Sequence, residues 1–348
     1  MPRNTPAAQG YRMPAEWEPH AATWLAWPHN RDTWPDQLDQ VQAIYVQLIA
    51  ALQACETVYL LVHDAAMAAQ VRQVLTTQHV PLQHVIMHIY PTVDAWLRDS
   101  GPMFVTSQGD RRLALVDWRF TAWGGKYPEM LPDDALPQHI ATHFDLPRFV
   151  PGVALEGGAI DLNGQGSCLT TEQCLLNANR NPHLQRADIE RYLNDYLGVR
   201  HTIWLGEGIA GDDTDGHIDD MARFVAPGTV VCARADDPQD ANYAILHDNY
   251  RRLQAATDQD GQALRVIALP MPGPVGPAEA PLPASYANFY IANGVVLVPT
   301  YDHPNDAMAL GILQGVFPDR RVLGIPCEPL VWGRGAIHCI TQQQPASL

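Results

Sequence analysis

The chain has 348 residues, 47% of them hydrophobic, which excludes a small disulfide-stapled protein and allows a sizeable core. Its 22 basic and 38 acidic residues give a formal net charge of −16, which disfavours nucleic-acid partners and favours a small cationic ligand. The polar segment 1–10 resembles no signal peptide, no apolar run could span a membrane, and the six cysteines form no C-x-x-C pair. We therefore expect a soluble cytoplasmic protein with free thiols.

Helical and strand patterns alternate along the chain. Apolar spacing predicts a helix at 36–54, with Asp36 or Asp39 near its start, then a strand at 57–62 and a helix at 64–76. Strands are expected at 85–90, 103–105 and 113–118. The two types alternate again over 168–171, 187–197, 200–205, 224–233, 243–254, 265–269, 288–298 and 321–325. This order predicts an α/β fold.

A proline-rich stretch at 271–283 interrupts this pattern. Strand-like sequence resumes after it without a change of composition, so we interpret it as a surface loop rather than a linker. We accordingly predict a single domain over 1–348.

Two acidic residues precede glycines at the ends of apolar segments. Asp99 comes directly before Ser-Gly-Pro, where a carboxylate is either presented from a rigid corner or bonded to its own turn. Glu156 is followed by Gly157 and Gly158, which let another backbone or a ligand approach closely, although a plain turn explains the same letters. Neither segment has the pattern of a phosphate loop.

The densest polar group, at 211–220, holds one histidine among five carboxylates. In an extended backbone His217 and Asp219 would point to the same face. A carboxylate beside an imidazole suits general acid/base catalysis. A metal site formed by His217, Asp219 and Asp220 and a solvated acidic loop remain alternatives.

Cys339 follows a glycine-rich approach at 333–335, which leaves room for a substrate at its sulfur. Free cysteines are usually buried core residues, and we interpret the other five in that way. A thiol becomes a nucleophile at neutral pH when a nearby cation stabilises its thiolate. A thiol, a histidine and excess carboxylates suit a cationic guanidinium, whose planar donors two carboxylates can bind.

Longer motifs carry a resemblance over nearly the whole chain. They are Met13-Pro14-Ala15-Glu16-Trp17, Trp24-Leu25-Ala26-Trp27-Pro28 and Ile337-His338-Cys339-Ile340-Thr341-Gln342-Gln343-Gln344-Pro345. With them the sequence resembles the agmatine deiminase and bacterial peptidyl-arginine deiminase family, within the guanidine-modifying superfamily of pentein fold. The resemblance implies a propeller of five α/β units around a pseudo-fivefold axis, with the site in the central channel.

The same resemblance implies a role for each candidate residue. Cys339 would be the nucleophile and His217 the general acid/base. Asp99 and Asp219 would hold the guanidinium, and Glu156 would position substrate and histidine. A covalent thiouronium intermediate would lead from agmatine to N-carbamoylputrescine and ammonia, a step toward putrescine. No metal or organic cofactor is implied.

The acidic loop departs from the family, because Asp215 stands where many agmatine deiminases carry Asn, with Asp213 upstream. We expect this loop to meet the substrate's tail, which favours agmatine over free arginine. We assign Trp96 and Trp123 to substrate binding, with the core as their alternative place.

Three rival functions remain open. They are a peptidyl-arginine deiminase, a metal-dependent hydrolase and a non-catalytic protein that binds guanidines or polyamines on the same fold. A homodimer is left open as the assembly.

Overall fold

The computed structural model describes residues 4–107, 109–110, 112–277 and 279–347. Residues 1–3 of the polar N-terminal segment, residue 278 of the proline-rich stretch and residue 348 at the end of the predicted domain lie outside the described residues. No helix in the described ranges is long and apolar enough to cross a membrane.

The described ranges contain seventeen strands, numbered here in chain order. β1 to β9 are Tyr11–Arg12, His20–Ala26, Thr57–Val62, Val85–Ile89, Met103–Ser107, Leu113–Val116, Arg148–Phe149, Asp161–Leu162 and Ser167–Thr171. β10 to β17 are His201–Leu205, Ala222–Ala226, Thr229–Arg234, Arg265–Pro270, Tyr290–Ile291, Val295–Thr300, Arg321–Pro326 and Gln342–Pro345.

Ten α-helices accompany the strands over the same ranges. α1 to α5 are Leu38–Leu52, Ala65–Thr77, Leu97–Ser100, Ala122–Gly125 and Leu136–His143. α6 to α10 are Glu172–Leu175, Arg186–Leu197, Tyr243–Ala255, Asn305–Val316 and Glu328–Val331. Short 3₁₀ helices form at Ala7–Gln9, Pro128–Ala135, Gly157–Ala159 and Ile218–Asp220.

The described strands form five separate sheets. Their strand orders are β1-β5-β6-β7, β10-β9-β8, β11-β12-β13, β14-β15-β16 and β17-β2-β3-β4. Each sheet has an antiparallel pair and a parallel pair that share a strand, as in β14-β15-β16. The parallel pairs are connected through helices, because a parallel crossover needs such a long connection. The protein therefore has a mixed α/β fold.

The helix predicted at 36–54 is α1, which buries Val41, Ile44, Tyr45 and Leu48 on one face. Asp39 lies in the first turn of α1, as expected of an acidic residue near the helix start, and Asp36 lies just before the helix. Gln37 is the N-cap residue without a side-chain bond, and Asp36 has a left-handed φ of 60°. Asp64 does cap α2, accepting a hydrogen bond from the Met67 amide.

Two segments predicted as continuous contain two strands each. Residues 224–233 belong to the antiparallel strands β11 and β12, which a turn containing Pro227 and Gly228 connects. Residues 288–298 contain β14 and part of β15, joined through Asn293-Gly294, a common hairpin signal. Both apolar runs are buried on each side of the turn, so their composition did not reveal it.

The candidate site residues lie shortly before the first strand of the antiparallel pairs. Asp99 precedes β5, Glu156 precedes β8 and Asp219 precedes β11. Cys339 precedes β17, which pairs with β2 and so joins the C-terminal segment to the N-terminal sheet. Each of these four sheets thus places one polar segment at a common centre.

Candidate functional site

A cavity of about 270 Å³ opens above this centre. Trp96, Asp99, Trp123, Asp213 and Cys339 are among the residues that line it. The structure therefore brings together most of the side chains that the sequence singled out, although they are far apart in the chain.

We call Asp99, Glu156, His217, Asp219 and Cys339 the floor: Asp99 and Cys339 line the cavity, and the other three are buried next to them. All five are buried. Gly158 packs among them so closely that a Cβ atom there would lie 2.4 Å from His217 Nδ1 and 3.1 Å from Asp219 Oδ2. The Gly-Gly pair is thus the close backbone approach expected from the sequence.

Asp99 is held by two hydrogen bonds. Its Oδ1 accepts from the Gly158 amide at 2.9 Å, and its Oδ2 accepts from Trp123 Nε1 at 2.9 Å. Burial raises the pKa of Asp99, and the nearby Asp219 and Glu156 raise it against the charge of His217. Asp99 is therefore a fixed acceptor at the edge of the floor.

The two tryptophans lie at the cavity as expected. Trp123 has a φ of 53°, a left-handed conformation that is costly for a bulky residue. Such strain persists where the surrounding structure requires it, here for the bond to Asp99. The Trp96 ring packs against Trp34 in a tilted arrangement, with 5.3 Å between ring centroids, and contacts the glycines that precede Cys339.

Glu156 is fully buried and paired with a residue that the sequence did not suggest. Arg180 Nε donates to Glu156 Oε1 at 2.7 Å. The other oxygen, Oε2, has no hydrogen-bond partner among the described residues and lies 4.0 Å from His217 Nε2. One carboxylate oxygen of Glu156 thus stays available on the floor.

His217 has a ring that is buried without a well-formed hydrogen bond to the described residues. Its Nδ1 lies 3.8 Å from Asp99 Oδ2. Burial alone lowers the pKa of His217, but Asp99, Cys174 and Asp219 raise it well above its usual value. The imidazolium is the favoured form at neutral pH.

Cys174 is a buried core residue as expected, but it also has polar neighbours that the sequence did not suggest. Its sulfur, a His217 ring nitrogen and a Glu156 oxygen all lie within 4.8 Å of one another. The short helix α6 places it there, with the Thr171 hydroxyl capping the helix at the Cys174 amide. The sequence gave no sign of this contact, because α6 is distant from the acidic loop.

The extended backbone expected at 217–219 is also wrong. His217 is the N-cap residue of the 3₁₀ helix Ile218–Asp220. The side chains of His217 and Asp219 still meet at Gly158, because the tight turn brings them to the same side. The prediction that His217 and Asp219 point to the same side was right, and the extended backbone that it assumed was wrong.

Cys339 lies between a carboxylate and an amide. Its sulfur is 3.9 Å from Asp219 Oδ2 and 3.2 Å from Asn288 Nδ2. A Cβ atom at Gly335 would lie 3.2 Å from the sulfur, so the glycine approach keeps it accessible. Burial and the charges of Asp219, Asp220 and Asp99 raise the pKa of Cys339 well above its usual value.

Asp219 is oriented by His338, the residue before the nucleophile. His338 Nδ1 is 2.6 Å from Asp219 Oδ2, and its Nε2 is 2.8 Å from Glu16 Oε2. Burial raises the pKa of Asp219, but the hydrogen bond and charge of His338 lower it below its usual value overall. Asp219 is thus ionised, and its Oδ1 has no partner in the described ranges.

We call Lys126, Tyr127, Asp213, Asp215 and Arg334 the rim of the cavity. Asp213 accepts a hydrogen bond from Tyr127 and lies 3.8 Å from Arg334 Nε. Asp215 pairs with Lys126 Nζ at 2.7 Å. These carboxylates are therefore largely compensated by neighbouring donors and cations.

The expectation that Asp215 adds an available carboxylate to the loop is wrong. Besides Lys126, it accepts from Arg180 Nη1 at 2.5 Å and from Asn179 Nδ2 at 2.9 Å. Asp215 therefore fixes the backbone of the acidic loop beside His217. Asp213, in contrast, does line the cavity.

Two groups of described residues could hold a metal ion by distance, Glu156-Cys174-His217 and Asp219-Asp220-Cys339. The expected set of His217, Asp219 and Asp220 is thus divided between them. Arg180 donates to Glu156, and Asn288 Nδ2 faces both Asp220 and Cys339. The Arg180 cation at the first group and the Asn288 N–H donor at the second group disfavour the binding of a metal cation.

Sequence reasoning did not assign Glu16, Arg180, Asn288 or His338 to the site. His338 directly precedes Cys339, and Glu16 lies in the N-terminal motif Met13-Pro14-Ala15-Glu16-Trp17. Their presence in these motifs was the signal that could have identified them. Arg180 and Asn288 have no comparable signal, because only the tertiary fold brings them to the floor.

The floor as a whole can bind and attack a planar cation. Asp219 and Glu156 each keep a buried oxygen without a described partner, which is costly unless a ligand donates to it. A thiol and an imidazolium lie beside these oxygens. This arrangement suits covalent catalysis at a cationic carbon.

The model of the Porphyromonas-type peptidyl-arginine deiminase family matches residues 12–345 of this chain. Agmatine deiminase of Ectopseudomonas mendocina is 40% identical over 365 residues, with coverage of 98% of this chain and 97% of that protein. Agmatine deiminase of Medicago truncatula is 39% identical, with coverage of 99% and 98%.

Solved structures give the same similarity. Agmatine deiminase of Enterococcus faecalis, described as catalysing its reaction, superposes with a TM-score of 0.90 at 35% identity, covering 99% of this chain and 98% of that one. A cysteine-to-serine variant of agmatine deiminase from C. jejuni with substrate bound superposes with a TM-score of 0.87 at 29% identity, covering 97% of each chain.

Proposed function

Because the chain belongs to the Porphyromonas-type peptidyl-arginine deiminase family, we propose that it is an agmatine deiminase, a hydrolase acting on the C–N bond of a linear amidine. The single observation that carries the mechanism is the floor, where Cys339 lines the cavity and His217 and two carboxylates with open oxygens are buried beside it. The relatives' names supply the substrate.

Binding precedes chemistry. The guanidinium donates to the open oxygens of Asp219 and Glu156, with Asp99 at the edge of the site. Its positive charge lowers the pKa of the Cys339 thiol, which Asp219, Asp220 and Asp99 raise in the free protein. The thiol proton leaves to solvent, and the thiolate forms next to the guanidinium carbon.

In the first half-reaction the Cys339 thiolate attacks that carbon and forms a C–S bond. The His217 imidazolium donates its proton to one terminal nitrogen, the C–N bond breaks, and ammonia leaves. A thiouronium cation remains on Cys339, and His217 is neutral. The raised pKa of His217 provides the required proton.

In the second half-reaction neutral His217 removes a proton from water, which attacks the thiouronium carbon. The tetrahedral adduct collapses to a ureido group, its remaining hydroxyl proton passes to the departed ammonia, and the C–S bond breaks. The Cys339 thiolate and the His217 imidazolium are regenerated. The products are N-carbamoylputrescine and ammonium, so no cofactor is needed.

The acidic opening of the cavity supports agmatine over the peptidyl-arginine alternative. Asp32 and Glu129 line the cavity away from the floor and suit the substrate's primary amine, whereas the charge of Asp213 is balanced by Arg334, which also lines the cavity. A free arginine carboxylate would be repelled there. The curated relatives reported above are named agmatine deiminases.

The arrangement of the sheets also supports a proposal about the fold. Five sheets of similar pattern favour a five-bladed propeller within one domain over 1–348, with the floor on its axis. Cytoplasmic location and a homodimer stay predictions from the sequence. Size-exclusion chromatography with light scattering tests the dimer.

A substrate panel tests the proposed activity. Purified protein is incubated with agmatine, arginine and an arginyl peptide in the presence of a chelator, and ammonia and ureido product are measured. We expect release from agmatine alone. Activity restored only by metal would support the metal-dependent hydrolase, and agmatine binding without release would support the non-catalytic binding protein.

A further inference from the structure

Asn288 lies at the fifth antiparallel pair, where the other four pairs each carry a floor residue. It lies two residues before β14, as Asp99, Glu156, Asp219 and Cys339 lie three to five residues before their strands. Asn288 is fully buried, and its position in this sheet is equivalent to the positions of the floor residues in the other four sheets.

The side-chain amide of Asn288 contacts the nucleophile. Its Nδ2 lies 3.2 Å from Cys339 Sγ and donates to Asp220 Oδ1 at 3.0 Å. Its Oδ1 accepts from the His338 backbone amide at 2.9 Å. The two hydrogens of Nδ2 are thus directed at the sulfur and at a carboxyl oxygen.

This orientation of the amide is chemically determined. The His338 backbone N–H can only donate, so it must face Oδ1, and the NH₂ group must face the sulfur and Asp220. A flipped amide would set the NH₂ group against the His338 N–H and the amide oxygen against Asp220 Oδ1, although the sulfur lies 3.6 Å from Oδ1 as well. Asn288 is therefore aimed at Cys339 in the resting protein.

The sulfur needs a donor because its other neighbours oppose its ionisation. Asp219, Asp220 and Asp99 all raise the pKa of Cys339, and the backbone amide of Ala336 acts in the other direction. A hydrogen bond to an ionised acceptor is stronger than one to a neutral acceptor. An N–H donor at the sulfur thus favours the thiolate over both the thiol and the thioether.

We propose that Asn288 is a catalytic residue that stabilises the Cys339 thiolate through its Nδ2–H donor, both before attack and when the C–S bond breaks. The inference rests on the proposed function for its place in turnover, but the hydrogen bond acts on the free protein as well. Asp220 and the His338 amide are positioning groups for this donor.

Asn288→Asp is the most direct test, because it keeps an acceptor for the His338 amide and replaces the donor with an oxygen. Asn288→Ser is the second variant, and Asn163→Asp is the matched control. Asn163 is also buried, and its Nδ2 donates to the Pro227 carbonyl and to Gln259, away from the floor. All three are compared with the wild-type protein.

The readout is the rate at which iodoacetamide alkylates Cys339, followed by mass spectrometry of its peptide across a pH series without substrate. We expect the midpoint to rise by about one pH unit or more in both Asn288 variants and to stay unchanged in Asn163→Asp. With agmatine, kcat is expected to fall about 10- to 100-fold with little change in KM.

A wild-type midpoint in folded Asn288 variants would overturn the proposal. Failure of both variants to fold would also overturn it, because the amide would then be required by the core. If the midpoint rises but the wild-type protein releases no ammonia from agmatine, the hydrogen bond stands and the proposed function fails. The two conclusions are therefore distinguishable.

Discussion

Acidic side chains occupy both the floor and the rim of the cavity, but their oxygens are used differently. Asp215 of the rim directs its oxygens to Lys126, Asn179 and Arg180. Asp219 of the floor keeps one buried oxygen without a described partner. We therefore expect a cation to bind where carboxylate oxygens are open, rather than where carboxylates are most numerous.

The largest effect is expected from comparing two single substitutions, one that removes a carboxylate charge from the floor and one that removes a carboxylate charge from the rim. Asp219→Asn should lower kcat/KM for agmatine about 1000-fold, because a buried charge pair with the guanidinium is lost. Asp215→Asn should lower it less than about fivefold, since its charge serves Lys126 and Arg180. Equal losses, measured by ammonia release, would remove the distinction between the two regions.

Arg180 connects the two regions, so its removal should affect stability. Arg180→Met leaves Glu156 buried without its cation and should lower the free energy of unfolding by about 3 to 5 kcal/mol. Arg186→Met, at an exposed pair with Glu172, is the control and should cost less than about 1 kcal/mol. Urea unfolding compares them, and similar losses would contradict the role of Arg180.

Removing the charge of Asp219 should make the Cys339 thiol more reactive and, at the same time, make turnover of agmatine slower. Asp219 raises the pKa of Cys339, so Asp219→Asn lowers that pKa and increases the thiolate fraction at any pH below it. Alkylation of Cys339 by iodoacetamide at neutral pH should accelerate about tenfold while agmatine hydrolysis falls. Slower or unchanged alkylation, with Asp215→Asn as reference, would disprove this coupling.

The smallest effect is expected at Asp213 on the rim. Asp213→Asn keeps a partner for Tyr127 and removes one charge near the cavity opening. KM for agmatine should rise less than about fivefold with kcat unchanged, because Asp213 is partly exposed and Arg334 already balances its charge. A large fall in kcat would assign Asp213 to the floor chemistry instead.

The regular elements were predictable because their patterns are local. The strand β3 coincides with the predicted 57–62, and the helix α1 lies within 36–54, where apolar positions repeat at helical spacing. The two hairpins were missed because buried apolar runs continue on both sides of the turn. The five-sheet pattern was not visible, since it repeats strand pairing rather than sequence.

The site was predictable where the chemistry is carried by unusual local groups. Cys339, Glu156 and the acidic loop have glycine or carboxylate neighbours that stand out, and the family resemblance added roles to them. Cys174, Arg180 and Asn288 have ordinary neighbours and act only through contacts across sheets. The pairing of Asp215 was likewise invisible, because its cations lie elsewhere in the chain.

The central claim is that Cys339 forms a covalent intermediate with agmatine. Excess wild-type protein is mixed with agmatine labelled at the guanidino carbon and quenched in acid over a single turnover, and the Cys339 peptide is analysed by mass spectrometry. We predict transient label on Cys339, with neither label nor ammonia release in Cys339→Ala. Ammonia release by Cys339→Ala at the wild-type rate would contradict the account.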